Sequence, residues 1–306
     1  MTETWTSSGQ AISWPARAKI NLYLHVTGRR ADGYHGLESL IVFAQLGDTV
    51  EVEACDDLIL GIDGPFANAL PADQENLVWQ AALLLAQAAG IRAQARIRLH
   101  KLLPVAAGIG GGSADAAAAL MALRALWQLP MDDAGLHDLA ADLGADVPVC
   151  LGARPSIVTG IGHDVLPVPP LPMFALVLVN PLQHLSTTAV FRELQPPFTP
   201  SQPWSELPAA PQSTVRDLTQ ALSRRHNDLE VPARRLAPVV GEVLMALAGL
   251  PGCGLARMSG SGATCFGLFD DLAEAEAAAR ALGAARTDWW VQASAIEGVG
   301  RQCGEA

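Results

Sequence analysis

One stretch narrows what this chain can fold into more than any other. Pro104-Val-Ala-Ala-Gly108-Ile-Gly110-Gly111-Gly112-Ser113-Ala114-Asp115 runs straight into an alanine-rich segment that ends near Trp127. Ala95 to His100 alternates as a strand, so the order is strand, glycine loop, long helix. Glycines let backbone approach a ligand closely and take positive φ. A helix beginning there presents unpaired N–H groups and about half a positive charge to an anion. Together they predict a phosphate cradle. It is not a Walker A loop, because no Gly-Lys-Ser/Thr closes it. Gly108, Gly110 and Ser113 nearly fit a dinucleotide fingerprint, but that motif needs a strand ending in an acid some 20 residues on, and the acids there, Asp132 and Asp133, open a helix. The plainer competitor is a close-packed turn with no ligand.

Composition bounds the rest. The 306 residues carry 20 Lys and Arg against 31 Asp and Glu, a net charge of -11, and half of them are hydrophobic. That excludes disorder as the main state. It also argues against nucleic acid and anionic lipid as partners, since both demand a basic footprint. Five cysteines are scattered without a C-x-x-C pair, the pattern of reduced thiols in a cytoplasmic protein with no zinc site. Met1 to Trp5 holds no basic region before an apolar stretch, so no secretion signal is expected. Five prolines break the apolar run Val165 to Leu182, which is therefore not read as a membrane span.

Strands and helices mix without a strict βαβα rhythm, so the expected class is α+β. Arg17 to Val26 alternates with period two and predicts a half-buried strand, with Arg17, Lys19, Asn21, Tyr23 and His25 on the polar face. Ile41 to Phe43 and Thr49 to Glu53 read as separate strands, and Asn76 to Ala89 as a helix stopped by Gly90. A helix is expected over about Met131 to Leu143. Val165 to Pro172 is the best linker signal. Beyond it come a strand (Ala175 to Val179), a helix opened by Ser186 and a loose surface segment, Pro196 to Gln212. Helices near Ser213 to Arg225, Ala233 to Ala248 and Leu272 to Leu282 follow, with a hairpin at Ser259 to Gly262 and a last strand, Trp290 to Ala295.

Two further places carry possible chemistry. Lys19 and Asn21 project from one face of their strand, and Tyr34-His35 follows a Gly turn. A solvated sheet face is the ordinary reading, yet the mixture of polar types is unlike one. Lysine is a point charge suited to a transferring phosphoryl group. Asp146 stands on a tight apolar-flanked loop, where a turn aspartate is the commoner case.

These residues carry a resemblance. The glycine loop resembles the phosphate loop of the GHMP small-molecule kinases. Pro15 to His35, Leu143 to Pro148 and Met258 to Thr264 are similar to the branch of that family that phosphorylates a cytidylated methylerythritol in the non-mevalonate route to isoprenoid precursors. The resemblance spans nearly the whole chain. It implies an N-terminal ribosomal-protein-S5-like domain (1–160), a C-terminal ferredoxin-like domain (161–306) and a site in the cleft between them. It implies ATP with Mg²⁺ and a small-molecule acceptor, with no nucleic acid or membrane partner.

By this resemblance Lys19 and Asp146 are catalytic. Asn76, Lys101, Pro104, Gly108, Gly110, Gly111, Gly112, Ser113 and Ala114 bind the nucleotide, though Lys101 has a solvated side chain as its alternative. Asn21, Tyr34, His35, Thr187, Phe191, Ser261 and Gly262 bind the acceptor, with Tyr34 and Phe191 sandwiching the cytosine and His35 bonding its edge. Asn227-Asp228 is structural or adjacent to the site. Metal ligands stay open, with Asp115 a ligand or a helix cap. Another GHMP kinase, of homoserine or mevalonate type, is the alternative within the family. A nucleotide-binding regulator without turnover is the alternative outside it, against which Lys19 and Asp146 speak. One departure stands out: Ala106 and Ala107 occupy positions where relatives often carry glycine, so ordinary φ/ψ is expected there.

Overall fold

The computed structural model describes residues 11–31, 33–162, 164–202, 207–208 and 213–296. Met1 to Trp5, Asp32, Cys303 and parts of the 196–212 segment lie outside them. The described residues form two compact units, one drawn from 11–17, 47–105 and 111–152, the other from 18–46, 106–110 and 153–296. They interleave along the sequence, whereas the expected division at 160/161 follows covalent order alone. The physical reason is strand length: β1 (Ile12–Arg29) and β2 (His35–Glu53) each contribute residues to both units.

In the first unit, Thr49 to Glu53 of β2 pairs antiparallel with β4 (Ala95–His100), in the register Thr49 to His100 and Glu53 to Arg96. β3 (Leu58–Asp63), a strand not expected from the sequence, runs parallel to β4 on its other side. Val50, Val52, Ile97 and Leu99 are fully or almost fully buried, as alternation with charged neighbours requires of a sheet packed on one face. Helix α1 (Leu77–Ala89) packs on α2 (Gly111–Leu126), and α2 also meets α3 (Asp133–Leu143) and α4 (Val147–Gly152). Ala116 to Ala119 of α2 are all buried. Alanine costs a helix nothing in propensity and lets neighbouring backbones come close. Asp132 caps α3 by accepting the Gly135 N–H, which disposes of the dinucleotide reading of that acidic pair.

In the second unit, Leu37 to Ile41 of β2 pairs antiparallel with β5 (Ser156–Gly160), and β5 with β6 (Asp164–Pro167). The expected linker at Val165 is thus partly strand. A separate antiparallel sheet runs in the order β10 (Trp290–Ala295), β7 (Ala175–Asn180), β9 (Cys265–Phe269), β8 (Leu255–Met258). Every residue of β7 is buried. Helices α8 (Val239–Ala248) and α9 (Leu272–Ala285) pack on that sheet. The single helix expected over Ala233 to Ala248 is two, α7 (Glu230–Leu236) and α8, because Pro238 lacks the N–H that would continue it. Two shorter helices, α5 (Thr187–Glu193) and α6 (Val215–Ser223), complete this unit's described helices. Among the described residues no helix is long and apolar enough to cross a membrane.

β1 departs most from expectation. Lys19, Asn21, Tyr23 and His25 are buried along with Ala18, Ile20, Leu22 and Leu24. From Ala18 to Val26 the strand has no solvated face. Four polar side chains taken out of water must therefore find partners or a ligand.

Candidate active site

The glycine loop is built against the second glycine loop within the second unit. Gly108 has φ +74, and a Cβ there would stand 2.6 Å from the Gly262 carbonyl oxygen and 2.7 Å from that of Ser259. The Thr264 N–H donates to the Ala107 carbonyl at 3.1 Å. The Ser259 hydroxyl donates to the Gly108 carbonyl and accepts the Asn21 N–H, both at 3.1 Å. Ala106 adopts φ +52, which corrects the expectation of ordinary backbone there. A left-handed alanine costs about 1–2 kcal/mol. The bonds that fix the neighbouring residues offset that strain. Ala107 is not among the positive-φ residues.

Lys19 joins this loop. Its N–H donates to the Ile109 carbonyl at 2.9 Å, and its aliphatic stem lies over Gly110, where a Cβ would be 3.0 Å from Lys19 Cβ and Cε. Gly110 is small so that the stem of this 5 % exposed lysine can cross it. Asn21, two residues on, donates from Nδ2 to the Ser39 hydroxyl at 2.7 Å. Its Oδ1 is buried without a hydrogen-bond partner and faces Gly260. A buried carbonyl oxygen without a donor costs about 1–3 kcal/mol. His25 Nδ1, in the same row, is likewise buried without a hydrogen-bond partner.

The loop's other half, Gly111 to Ala114, is the first turn of α2 in the first unit. Pro104 is buried just upstream. Gly112 touches Leu77, so the N-termini of α1 and α2 adjoin. Asn76 caps α1, its Oδ1 accepting the Val78 N–H and its Nδ2 donating to the Pro71 carbonyl. Its side chain is spent on the helix end. Lys101 is neither solvated nor turned toward a ligand: it is 2 % exposed and donates to Asp48 and Asp115, each at 2.6 Å. Asp48 also accepts the N–H groups of Leu102 and Leu103. The two carboxylates raise the Lys101 pKa against the opposing effect of burial. Burial, reinforced by Asp48, pushes the Asp115 carboxyl up despite Lys101. Lys101 Nζ would lie 3.2 Å from a Cβ on Gly111. The solvated alternative is thereby corrected. The ammonium sits beneath the first residue of α2 because two buried acids demand a counter-charge.

Around the second loop lie residues expected to bind the acceptor. The Thr187 and Ser261 hydroxyls are 2.7 Å apart. Asn227 donates from Nδ2 to the Met258 and Gly260 carbonyls, both at 2.8 Å, and Asp228 accepts the Val26 N–H at 2.6 Å. That pair holds the loop and β1. Thr187 and Phe191 are four apart and share one face of α5. Phe191 meets His35, with ring centroids 5.2 Å apart and planes at 30°. Among the described residues His35, and not Tyr34, is the ring paired with Phe191; Tyr34 is 64 % exposed. Partial burial and nearby Arg29 lower the His35 pKa.

Asp146 lies in the first unit between Gly144 and α4, and is partly buried. Its carbonyl accepts the Cys150 N–H at 3.4 Å. No group of three or more His, Cys, Asp or Glu among the described residues could hold a metal ion.

Sequence reasoning missed Asp48, Glu38, Ser39, Phe198 and Arg257. The last is buried and donates to the carbonyls of Leu22, Leu222 and Arg225. None sits in a local motif, and only Asp48, an acid beside Gly47 between two strand segments, offered a hint.

Two-layer α+β units and a glycine loop opening a helix define a small-molecule phosphotransferase. Residues 76–153 match the GHMP kinases N terminal domain and 207–286 the GHMP kinases C terminal domain. The chain belongs to the GHMP kinase family, in the branch of the 4-diphosphocytidyl-2-C-methyl-D-erythritol kinases. It is 49% identical to that kinase from Rhodospirillum rubrum over 97% of this chain and 96% of the relative. It is 52% identical to that from Parvibaculum lavamentivorans over 94% and 99%. A crystal structure of 4-(cytidine 5'-diphospho)-2C-methyl-D-erythritol kinase superposes with TM-score 0.78 at 37% identity, covering 94% of this chain and 100% of that one. Homoserine kinase from Cytophaga hutchinsonii, at TM-score 0.68 and 19% identity over 96% and 97%, shares the fold.

Proposed function

We propose that the chain moves the γ-phosphate of ATP to the 2-hydroxyl of 4-diphosphocytidyl-2-C-methyl-D-erythritol, the alcohol step that its relatives' name describes. The observation that carries the reading is the placement of Lys19 and Asn21 on one buried face of β1, the lysine stem against Gly110 and the Asn21 oxygen without a donor. A cation over the phosphate loop beside an open acceptor suits a transferring phosphoryl group and an incoming hydroxyl.

ATP phosphates lie on the amides of Gly110 to Ser113 and the N-terminus of α2. Mg²⁺ would arrive with the nucleotide and supply charge neutralisation there; the partly exposed Ser113 in the first turn of α2 is the residue that would help to hold it. Asp146 orients the acceptor hydroxyl and takes its proton late, as the new P–O bond forms. A carboxylate of ordinary basicity cannot deprotonate an alcohol in advance. Lys19 balances the charge that develops, and no phospho-enzyme is formed. Thr187, Ser261 and Gly262 border the acceptor's diphosphate; His35 bonds the cytosine edge, with Tyr34 and Phe191 supplying ring faces. The net charge of -11 opposes entry of both anionic substrates, so attraction is local, through helix N-terminus, loop amides and Lys19. The four described cysteines are free, which supports a cytoplasmic setting.

A coupled ADP-release assay offering the cytidylated methylerythritol, homoserine and mevalonate in turn tests the reading. Turnover is expected with the first alone. No turnover with it, or turnover with either of the others, overturns the assignment.

A further inference from the structure

The segment Pro196 to Gln202, read from sequence as a loose surface loop, is tied down along its length. The Thr199 N–H donates to the Val26 carbonyl at 3.0 Å, and its hydroxyl donates to Asp228 at 2.9 Å. The Ser201 hydroxyl donates to Glu38, and the Gln202 N–H donates to both oxygens of that carboxylate at 3.3 and 3.2 Å. Glu38 is 3 % exposed. Its only other hydrogen bond among the described residues comes from the Tyr23 hydroxyl at 3.3 Å, and His25 Nδ1 is 3.9 Å away. A carboxylate is withdrawn from water at a cost of several kcal/mol unless donors meet it. Here most of its donors belong to the segment. Glu38 stays buried and satisfied only while the segment lies across it.

Between these anchors the segment delivers Phe198. Its ring stands edge-on to His35, with centroids 6.2 Å apart and planes at 71°. His35 thus meets two phenyl rings, tilted against Phe191 and edge-on to Phe198. His35 opens β2 and Glu38 lies three residues further along the same strand. The latch and the ring it stabilises thus share one rigid element.

We propose that Pro196 to Gln202 is a strap, latched on Glu38 through Ser201 and Gln202, that seats Phe198 as a positioning residue for His35 and so sharpens recognition of the pyrimidine base of the acceptor. Phe198 acts through His35. An edge-to-face neighbour fixes the plane of an imidazole that would otherwise rotate about χ2, and with it the direction of the ring nitrogens. The strap adds nothing to phosphoryl transfer itself. Its effect is confined to acceptor binding. The inference rests on the cytidylated acceptor of the proposed reaction, and a binding probe separates the two.

The test compares the wild-type chain with Phe198→Ala, Phe198→Tyr, Glu38→Gln and Ser201→Ala. KM for the cytidylated acceptor, KM for ATP and kcat are measured, together with calorimetric affinity for CDP in saturating ADP. Phe198→Ala is expected to raise acceptor KM and weaken CDP about tenfold, which is about 1.4 kcal/mol. KM for ATP and kcat stay within twofold, and Phe198→Tyr restores most of the loss. Glu38→Gln or, should that variant not fold, Ser201→Ala is expected to reproduce part of the effect. Adding either to Phe198→Ala is expected to give no further loss, because latch and ring form one unit. Unchanged acceptor KM and CDP affinity in Phe198→Ala, or equal losses for ATP and acceptor, overturn the strap. A wild-type chain that binds no CDP overturns it as well. A wild-type chain without turnover that binds CDP in a Phe198-dependent manner supports the strap and overturns the reaction.

Discussion

Gly108 and Gly262 are in backbone contact: a Cβ on the first would stand 2.6 Å from the carbonyl oxygen of the second and 2.7 Å from its nitrogen. Neither neighbour is the flexible end of a side chain, so nothing yields cheaply. Gly108→Ala adds this clash to a left-handed φ of +74. The expected outcome is a loss of at least about 2 kcal/mol in stability and a fall of more than tenfold in turnover. Urea unfolding and ADP release check both. Gly28→Ala, where a Cβ meets nothing within 4 Å, is the matched control and is expected to change little.

Lys101 donates to two buried carboxylates. Lys101→Met leaves Asp48 and Asp115 buried together without their cation, and about 3–5 kcal/mol of destabilisation is expected. Adding Asp48→Asn to it is expected to recover part of that loss, since an uncompensated buried charge disappears. Equal unfolding midpoints for single and double variants would argue against the triad as the reason for the burial.

The pH dependence of stability has a named source in His25. Burial, with His226 second, lowers its pKa from 6.5 to about 4. Above pH 6.5 folded and unfolded chains are both neutral at this site, and it contributes no slope. Between 6.5 and 4 the unfolded chain takes the proton and the folded chain does not, so stability falls as pH is lowered through that window. At 1.36 kcal/mol per pH unit the full loss is about 3 kcal/mol. His25→Gln removes the titration while keeping an acceptor for the His226 N–H that His25 Nε2 now receives. Urea midpoints at pH 7, 5.5 and 4.5 are expected to fall more steeply for the wild type than for this variant.

Asp146→Asn tests the proton acceptor. The amide keeps shape and most hydrogen bonding but cannot accept the hydroxyl proton. A drop in kcat of about 10²–10⁴ is expected, with affinity for a non-hydrolysable ATP analogue within twofold. Normal turnover in this variant would remove Asp146 from the mechanism.

How far each residue could be read in advance depended on the range of the interactions that place it. Asn76, Asp132 and Ser186 cap their helices as their local sequence predicts, and the final strand, Trp290–Ala295, has its expected bounds. The split at Pro238 was also within reach of a local rule. In contrast, nothing near His35 announces Phe198, and nothing near Lys101 separates a solvated lysine from one held by acids 53 and 14 residues away. Ala106 shows the same limit from the other side. Its intrinsic preference pointed to ordinary φ, and contacts made by its neighbours with residues of the second glycine loop overrode it.

The linear chain settled the α+β class, the glycine loop at the head of α2, the strand at Ala175 to Val179 and the family, because each depends on residues within a few turns of one another or on motifs with fixed spacing. Tertiary structure alone decided that β1 is buried on both faces from Ala18 to Val26, that Lys101 props the loop from beneath, that His35 partners Phe191 and Phe198, and that Glu38 latches residues 201 and 202. Burial and counter-charge are properties of what surrounds a side chain. Those surroundings come into being only when distant segments pack.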